Sequence, residues 1–385
     1  MNTLGDKALL PPGLEDVLPP HAAQEAAVVE RLIASFAGHG YQRVKPPLLE
    51  FEETLLAGAG ATLTQQTFRL MDPVSQRMLG LRADMTPQVA RIAATRLRKA
   101  ARPLRLCYGG QILQVKGSQL RSERQFGQVG VELIGAAQDT ADAEVVLLAA
   151  EALSAVGAAH LSIDLNLPPL VGALADGLGL DAERSTALRT ALDRKDDAAV
   201  AAIAGDRAPV FTALLRAAGP ADTALAALAK LSLPKAAKAD VARLRRVVKL
   251  IRDSAPDLTL TIDPVEHRGF EYQTGISFII FARGVRGELG RGGRYATDLP
   301  DGGSESSTGF TLYMDTVLRA VPPPSPPRTL YLPAESVPAD RGRAWRDDGW
   351  ATVAGLEAVK DIAEAARRLG CSHALIDGRI VALEG

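Results

Sequence analysis

The sequence predicts an α+β fold: a mixed core of strands and helices, a helical insertion, and a small α/β unit at the end. Three observations carry this. Segments of period-two apolar alternation stand between segments of helical spacing through residue 320. Residues 171–255 shift to Ala, Leu, Asp, Lys and Arg with almost no aromatics. Finally, Pro322-Pro323-Pro324-Ser325-Pro326-Pro327 must be largely extended, because proline fixes φ and cannot continue a helix. The expected organisation is a core over 1–320, a linker over 321–328 and a C-terminal unit over 329–385.

The elements follow in order. Residues 11–20 are too proline-rich for a helix and read as an extended arm. From Ala22 to Ala37, Val28, Val29, Leu32, Ile33 and Phe36 keep helical spacing, and Gly38 and Gly40 end the run. A strand is expected at Gln42–Lys45, closed by Pro46 and Pro47. A helix is expected from about Pro87 to Lys99, and another over 144–155. His160–Leu165 alternates strictly, with Leu161, Ile163 and Leu165 on one face of a half-buried strand. The Ala-rich stretch reads as short helices broken at Gly219-Pro220 and Pro234. Strand character returns at Leu258–Ile262 and Ile276–Phe281, and the final unit is patterned strand, helix, strand, helix, strand.

Composition excludes several classes. The 385 residues carry 44 Lys+Arg against 45 Asp+Glu, so the net charge of −1 argues against a protein whose main work is coating nucleic acid. Cys107 and Cys371 cannot build a disulfide framework or a four-thiolate zinc site. His21, His39, His160, His267 and His373 include no pair at the spacing of a helical metal site, so no metal or cofactor is expected. No charged segment followed by an apolar stretch opens the chain, and no apolar run approaches a membrane span. A soluble, cytoplasmic protein is the expectation.

Most chemical signatures fail. Gly58-Ala-Gly60 lacks the third glycine of a dinucleotide fingerprint, and Gly290-Arg-Gly-Gly-Arg-Tyr295 by itself reads as a plain loop. The informative segment is 124–134. As a strand it places Phe126, Gln128, Gly130 and Glu132 on one face and Val131 and Leu133 on the other. An amide and a carboxylate separated by a glycine suit a small ligand with an ammonium or N–H donors, and equally suit a solvent-facing polar edge. Asp84 and Thr86 offer a carboxylate and a hydroxyl just before a helix, where N-capping is the plainer role. Arg268, in His267-Arg-Gly-Phe-Glu-Tyr272, places a cation beside a glycine ahead of a strand.

Taken in order, these segments resemble the class II histidyl-tRNA synthetase core. The likeness rests on Pro-Pro-Gly-Leu-Glu-Asp-Val-Leu-Pro, Gly40-Tyr41 with Pro46 and Leu49-Glu50, and Leu81-Arg-Ala-Asp-Met-Thr86. It continues through Arg124-Gln-Phe-Gly-Gln-Val-Gly-Val-Glu132, Arg268-Gly-Phe-Glu-Tyr272 and Gly292-Gly-Arg-Tyr295, covering about residues 10–320. It implies an antiparallel sheet flanked by helices, with a helical insertion where that family carries one. By the same resemblance Asp84, Thr86 and Gln128 would hold an α-amino group, Glu132 an imidazole N–H, Arg268 the carboxylate, and Tyr272 the ring.

The departures decide the activity. Where the synthetases carry a Phe-Arg-x-Glu element, this chain has Leu113-Gln114-Val115-Lys116, and Thr316 stands where a last arginine would grip ATP. Each such charge-assisted contact is worth about 1.5–3 kcal/mol in ordinary binding. The residues after 328 are too few for the family's anticodon-binding domain. A kept amino-acid pocket with lost ATP cations resembles the regulatory-subunit family of ATP phosphoribosyltransferase more closely than a working histidine–tRNA ligase, which is the alternative. That resemblance implies a non-catalytic chain acting in the first step of histidine biosynthesis and in feedback by histidine. The partner it implies is a short-form catalytic subunit in a hetero-octamer. Pairing of two copies is implied through the Ala22–Ala37 helix and the segment after it, with no tRNA or membrane partner.

Overall fold

The structure, a computed structural model, describes residues 10–117, 121–176, 178, 180–266, 273–334 and 339–383. It divides into two compact units, Met1–Pro322 and Pro323–Gly385.

In the first unit, helix α1 (His21–Gly38) buries Val28, Leu32, Ile33 and Phe36 along one stripe. Gly40, at φ +81°, turns the chain into β1 (Gln42–Arg43). This strand is shorter than the expected Gln42–Lys45, although the Val44 N–H still bonds the Cys107 carbonyl at 2.8 Å. Strands β2 (Leu49–Phe51), β3 (Arg69–Met71) and β4 (Met78–Leu81) form a separate antiparallel sheet in the order β2-β4-β3. Helix α2 spans Thr86–Ala94 and stops short of the expected Lys99. There the Thr95 hydroxyl folds back onto the Arg91 carbonyl, and Arg102 gathers the carbonyls of Ala93, Leu97 and Ala100.

Strands β5 (Leu104–Leu113) and β6 (Gln125–Ile134) come next, then α3 (Asp139–Ala155) and β7 (Leu161–Asn166). The insertion begins at Pro168, slightly earlier than expected, and closes with α4 (Lys235–Ser254). It also holds a two-residue strand, β8 (Gly219–Pro220). Within it, Asp197–Arg216 is long and apolar enough by composition to cross a membrane, contrary to the expectation. It is nonetheless broken at Gly205-Asp206-Arg207, and its two helices bury Val200, Ala204, Phe211, Leu214 and Leu215.

The chain returns through β9 (Thr259–Asp263), β10 (Gln273–Ala282), β11 (Gly290–Asp298) and β12 (Ser304–Tyr313). The main sheet has the order β1-β5-β6-β12-β11-β10-β7-β9-β8. From β5 to β7 every neighbouring pair is antiparallel, and only β1/β5 and β7/β9 are parallel. The glycine-rich segment expected as a loop is therefore part of the central strand β11. A side chain at Gly290 or Gly292 would meet the Thr311 or Gly309 carbonyl of β12 within 2.4 Å, so glycine is what lets the strands close up.

In the second unit, β13 (Thr329–Leu332), β14 (Ala351–Ala354) and β15 (His373–Ile376) are parallel, and β16 (Arg379–Ala382) adds an antiparallel edge. That last strand goes beyond the expected pattern. Asp377 and Gly378, at φ +50° and +76°, form the tight turn that allows it. Tyr331, Ala366, Cys371 and Ala374 are the centre of its core.

Candidate functional site

The site is built on β6, whose two faces are both buried. Val129, Val131 and Leu133 enter the large core with α1 and α3, as the alternation predicts. Gln128 and Glu132, each 1% exposed, point the other way, so the reading of a solvent-facing polar edge does not hold. β5 and β12 flank β6 on either side, which is why no edge is available to solvent.

On that inner face Gln128 works as a clamp. Its carboxamide oxygen accepts the Met85 N–H at 3.0 Å, and its nitrogen donates to the Asp84 carboxylate at 3.0 Å. The other Asp84 oxygen accepts the Thr86 N–H at 2.7 Å, fixing the carboxylate at the start of α2. Thr86 is the first residue of α2 and does not cap it; Asp84 holds its N–H, and its hydroxyl faces the Tyr108 hydroxyl at 3.3 Å. Four of the six predicted site residues thus converge: Asp84, Thr86, Gln128 and Glu132. Arg268 and Tyr272 lie outside the described residues.

Glu132 has partners that sequence reasoning missed. Tyr295 donates to it at 2.8 Å and Tyr108 at 3.3 Å, while Tyr108 also bonds the Thr311 hydroxyl at 2.7 Å. No local signal gives these bonds; they follow from the folded register, in which Tyr108 stands opposite Gly130 and Gly309 opposite Glu132. A Cβ at Gly130 would lie 2.5 Å from the Tyr108 oxygen, and one at Gly309 only 2.1 Å from the Glu132 carboxylate. Burial pushes the Glu132 carboxyl up to about 8; the Asp84 charge adds to this, and bonds from Tyr295, Thr86 and Tyr108 draw it back. Burial likewise holds the Tyr108 hydroxyl well above its ordinary range.

The unfilled space among Asp84, Thr86, Glu132, Gln273, Tyr295 and Tyr313 is about 30 Å³, suited to water in the resting chain. A larger cleft of about 810 Å³ lies against His39, Glu151, His160, Asp257 and Arg283, and no predicted site residue lines it. The smaller cavity is the better candidate, because buried polar groups converge there.

The substituted positions are also defined. Gln114 donates to the Ala83 carbonyl at 3.3 Å, and Lys116 is exposed. Thr316 is buried beside Asp315, and the nearby cations Arg121 and Arg319 are paired with that carboxylate at 2.9 and 3.6 Å. Arg121 also stacks over Tyr313 and Phe126.

Comparison with known proteins identifies the family and the fold. The histidyl-tRNA synthetase family model matches residues 13–317. The chain is 60% identical to the ATP phosphoribosyltransferase regulatory subunit of Rhodospirillum centenum, over 97% of this chain and 96% of that one. It is 56% identical to the regulatory subunit of Paramagnetospirillum magneticum over the full length of both. Among solved structures, a Bacillus halodurans protein titled ATP phosphoribosyltransferase regulatory subunit/histidyl-tRNA synthetase shares the fold with a TM-score of 0.80 at 24% identity, covering 94% of this chain and 96% of its own. Histidyl-tRNA synthetase of Nostoc sp. PCC 7120 gives 0.77 at 18% identity, covering 96% and 91%. The synthetase-like fold and the 60% and 56% identity along nearly the whole chain converge: the chain belongs to the ATP phosphoribosyltransferase regulatory subunit family, a non-catalytic branch of the histidyl-tRNA synthetase-like proteins.

Proposed function

We propose that this regulatory subunit senses free histidine in the β6 cavity and passes that state to a short-form catalytic subunit. The supporting observation is the Gln128 clamp. It holds the Asp84 carboxylate beside Thr86, where an α-ammonium would sit, while Glu132 stands ready for a ring N–H. Arg268 then takes the ligand carboxylate and Tyr272 the ring, by resemblance. Because the resting cavity is water-sized, binding must widen it, and the apparent affinity carries that conformational cost. Feedback requires only that histidine prefer one state of the assembly.

The assembly we propose is a cytoplasmic hetero-octamer whose regulatory chains pair through α1 and the segment after it. Apolar exposure supports a partner on this side of the unit: Leu48, Leu49, Leu70, Met71, Val74 and Met78 are all exposed in or beside the small β2-β4-β3 sheet. Co-expression with a short-form catalytic subunit tests the whole reading. Phosphoribosyl transfer should appear only in the mixture and fall on addition of histidine. Glu132→Gln should blunt that fall while leaving co-purification intact. Inhibition unchanged by Glu132→Gln would move the histidine site elsewhere.

A further inference from the structure

The last strand of the second unit pairs on one side only. β16 is the edge of its sheet, in the order β14-β13-β15-β16, and every one of its residues, Arg379–Ala382, is exposed. Ile380 and Val381 are 39% and 40% exposed. Native edges are commonly protected by a proline, a lysine or a bulge. β16 contains neither residue type, and its register with β15 runs without a slip from Arg379 to Ala382.

That register also defines which backbone groups are free. Ile376 and Arg379 face each other across the tight turn, and at the far end the Leu383 N–H reaches the Ser372 carbonyl at 2.9 Å. In an antiparallel ladder, hydrogen-bonded pairs alternate with non-bonded ones. Arg379, Val381 and Leu383 therefore turn their backbone groups toward β15, and Ile380 and Ala382 turn theirs outward. A second β16, laid antiparallel about a two-fold axis at Val381, sets Ile380 of each copy opposite Ala382 of the other. Each facing pair then exchanges both its bonds, and every outward group of the strand is used. The charges also suit this register. Arg379 is the strand's one charged side chain, and it falls opposite Leu383 of the other copy. The two arginines then stand about 13 Å apart, beyond the screening length at physiological salt.

We propose that β16 is a pairing edge for a second copy of this chain, joining the small sheets of two copies into one continuous sheet. Strand addition of this kind draws its strength from main-chain bonds, and the Val381 side chains meet across the axis. Residues 379–383 on each side are far fewer than the roughly 20–30 of an interface that stands alone. The contact is accordingly weak between free chains and adds to whatever else holds regulatory chains together. Trapping, rather than sedimentation, is the measurement that reads it.

Disulfide trapping in the full chain, in a glutathione redox buffer, tests the register. Wild type should give no link, because Cys107 and Cys371 are both buried. Val381→Cys places two thiols across a non-bonded pair, where Cα atoms stand about 4.5 Å apart and a disulfide can close. Arg379→Cys leaves them about 13 Å apart, too far to bridge. Val381→Cys should therefore form the linked dimer faster than Arg379→Cys by roughly tenfold or more. Ile380→Pro removes an outward N–H and no bond of its own sheet, so adding it to Val381→Cys should bring the rate down to that of Arg379→Cys. The chain's two tryptophans, Trp345 and Trp350, both lie in this unit, so unchanged emission establishes that it is folded. Equal rates for the two cysteines overturn the proposal, as does linking that survives the proline with emission unchanged. Linking of Val381→Cys that vanishes when the catalytic subunit is added would assign the edge to that subunit and overturn it as well. Where the proline alters the emission, the ratio of the two cysteine rates decides alone.

Discussion

Asp142 of α3 and Arg294 of β11 form an ion pair in which both side chains are 4% exposed, at 2.8 Å. The other oxygen of Asp142 binds Arg243 of α4 at 3.0 Å, while Arg294 also donates to the carbonyls of Ala136 and Gln138. One carboxylate thus ties the sheet, the helix behind it and the last helix of the insertion together. Burial drags the Arg294 guanidinium below its ordinary range, and Asp142 opposes that shift.

Removing one partner of a buried pair leaves the other uncompensated. Arg294→Met is expected to cost about 3–5 kcal/mol, whereas replacing both partners by apolar residues of similar size should cost much less. Urea titration of the single variant and of Asp142→Leu/Arg294→Met checks this. Additive losses would show that the pair is not coupled.

Glu132 gives the chain a pH-dependent stability of defined sign. Its carboxyl titrates at about 8 when folded, against an ordinary 4.5, so over that window the native state holds the extra proton. Stability therefore falls as pH rises from about 5 to about 8 and levels off above it. Glu132→Gln should flatten this part of the curve and leave the variant relatively more stable at high pH. Melting temperatures across the window, wild type against variant, read the difference directly.

Gly309→Ala should remove ligand binding and lower stability together. The added methyl would lie 2.1 Å from the Glu132 carboxylate and 2.3 Å from the Val131 carbonyl, and the second contact is backbone that cannot swing away. Circular dichroism melts and histidine calorimetry should both register the change. An unaltered melt would mean that β12 and β6 can separate more easily than their antiparallel ladder suggests.

Pairing of regulatory chains is checked by sedimentation. Wild type should run as a dimer or larger at micromolar concentration. Met71→Glu, placed on a side chain 54% exposed, should shift the distribution toward smaller species if the small sheet contributes to the contact. A monomeric wild type would remove the pairing from the proposal.

Adenylation should stay absent. Gln114 and Thr316 carry no charge of their own, and Arg121 is already committed to Asp315 and to the Tyr313 ring. Histidine-dependent pyrophosphate exchange is expected at background. Exchange well above it would mean that Arg121 leaves Asp315 to serve a triphosphate.

Much of this was legible because alternation is a strong signal in long strands. The period of 126–133 separates Val129, Val131 and Leu133 from Gln128 and Glu132 with no knowledge of the fold. The burial of the polar face was not legible, since it depends on β5 and β12 arriving on either side. The glycines of β11 misled for a related reason. Local propensity marks Gly290-Arg-Gly-Gly as a loop, and only the closeness of β10 and β12 turns it into strand. The end of α2 was not legible because it depends on the Arg102 side chain folding back onto the carbonyls of Ala93, Leu97 and Ala100, which helical spacing does not encode. Tyr295 stood in a quoted motif, yet its bond to Glu132 spans 163 residues.

The double burial of β6 has a consequence for genetics. A saturation library across Gly127–Leu133 should divide its failures by parity. Changes at Val129, Val131 and Leu133 should deplete the chain itself, lowering abundance in the cell. If the proposed histidine site is right, polar isosteres at Gln128 and Glu132 should leave abundance intact and yield cells that overproduce histidine. Two phenotypes alternating residue by residue would be the pleat of a strand, read out as growth.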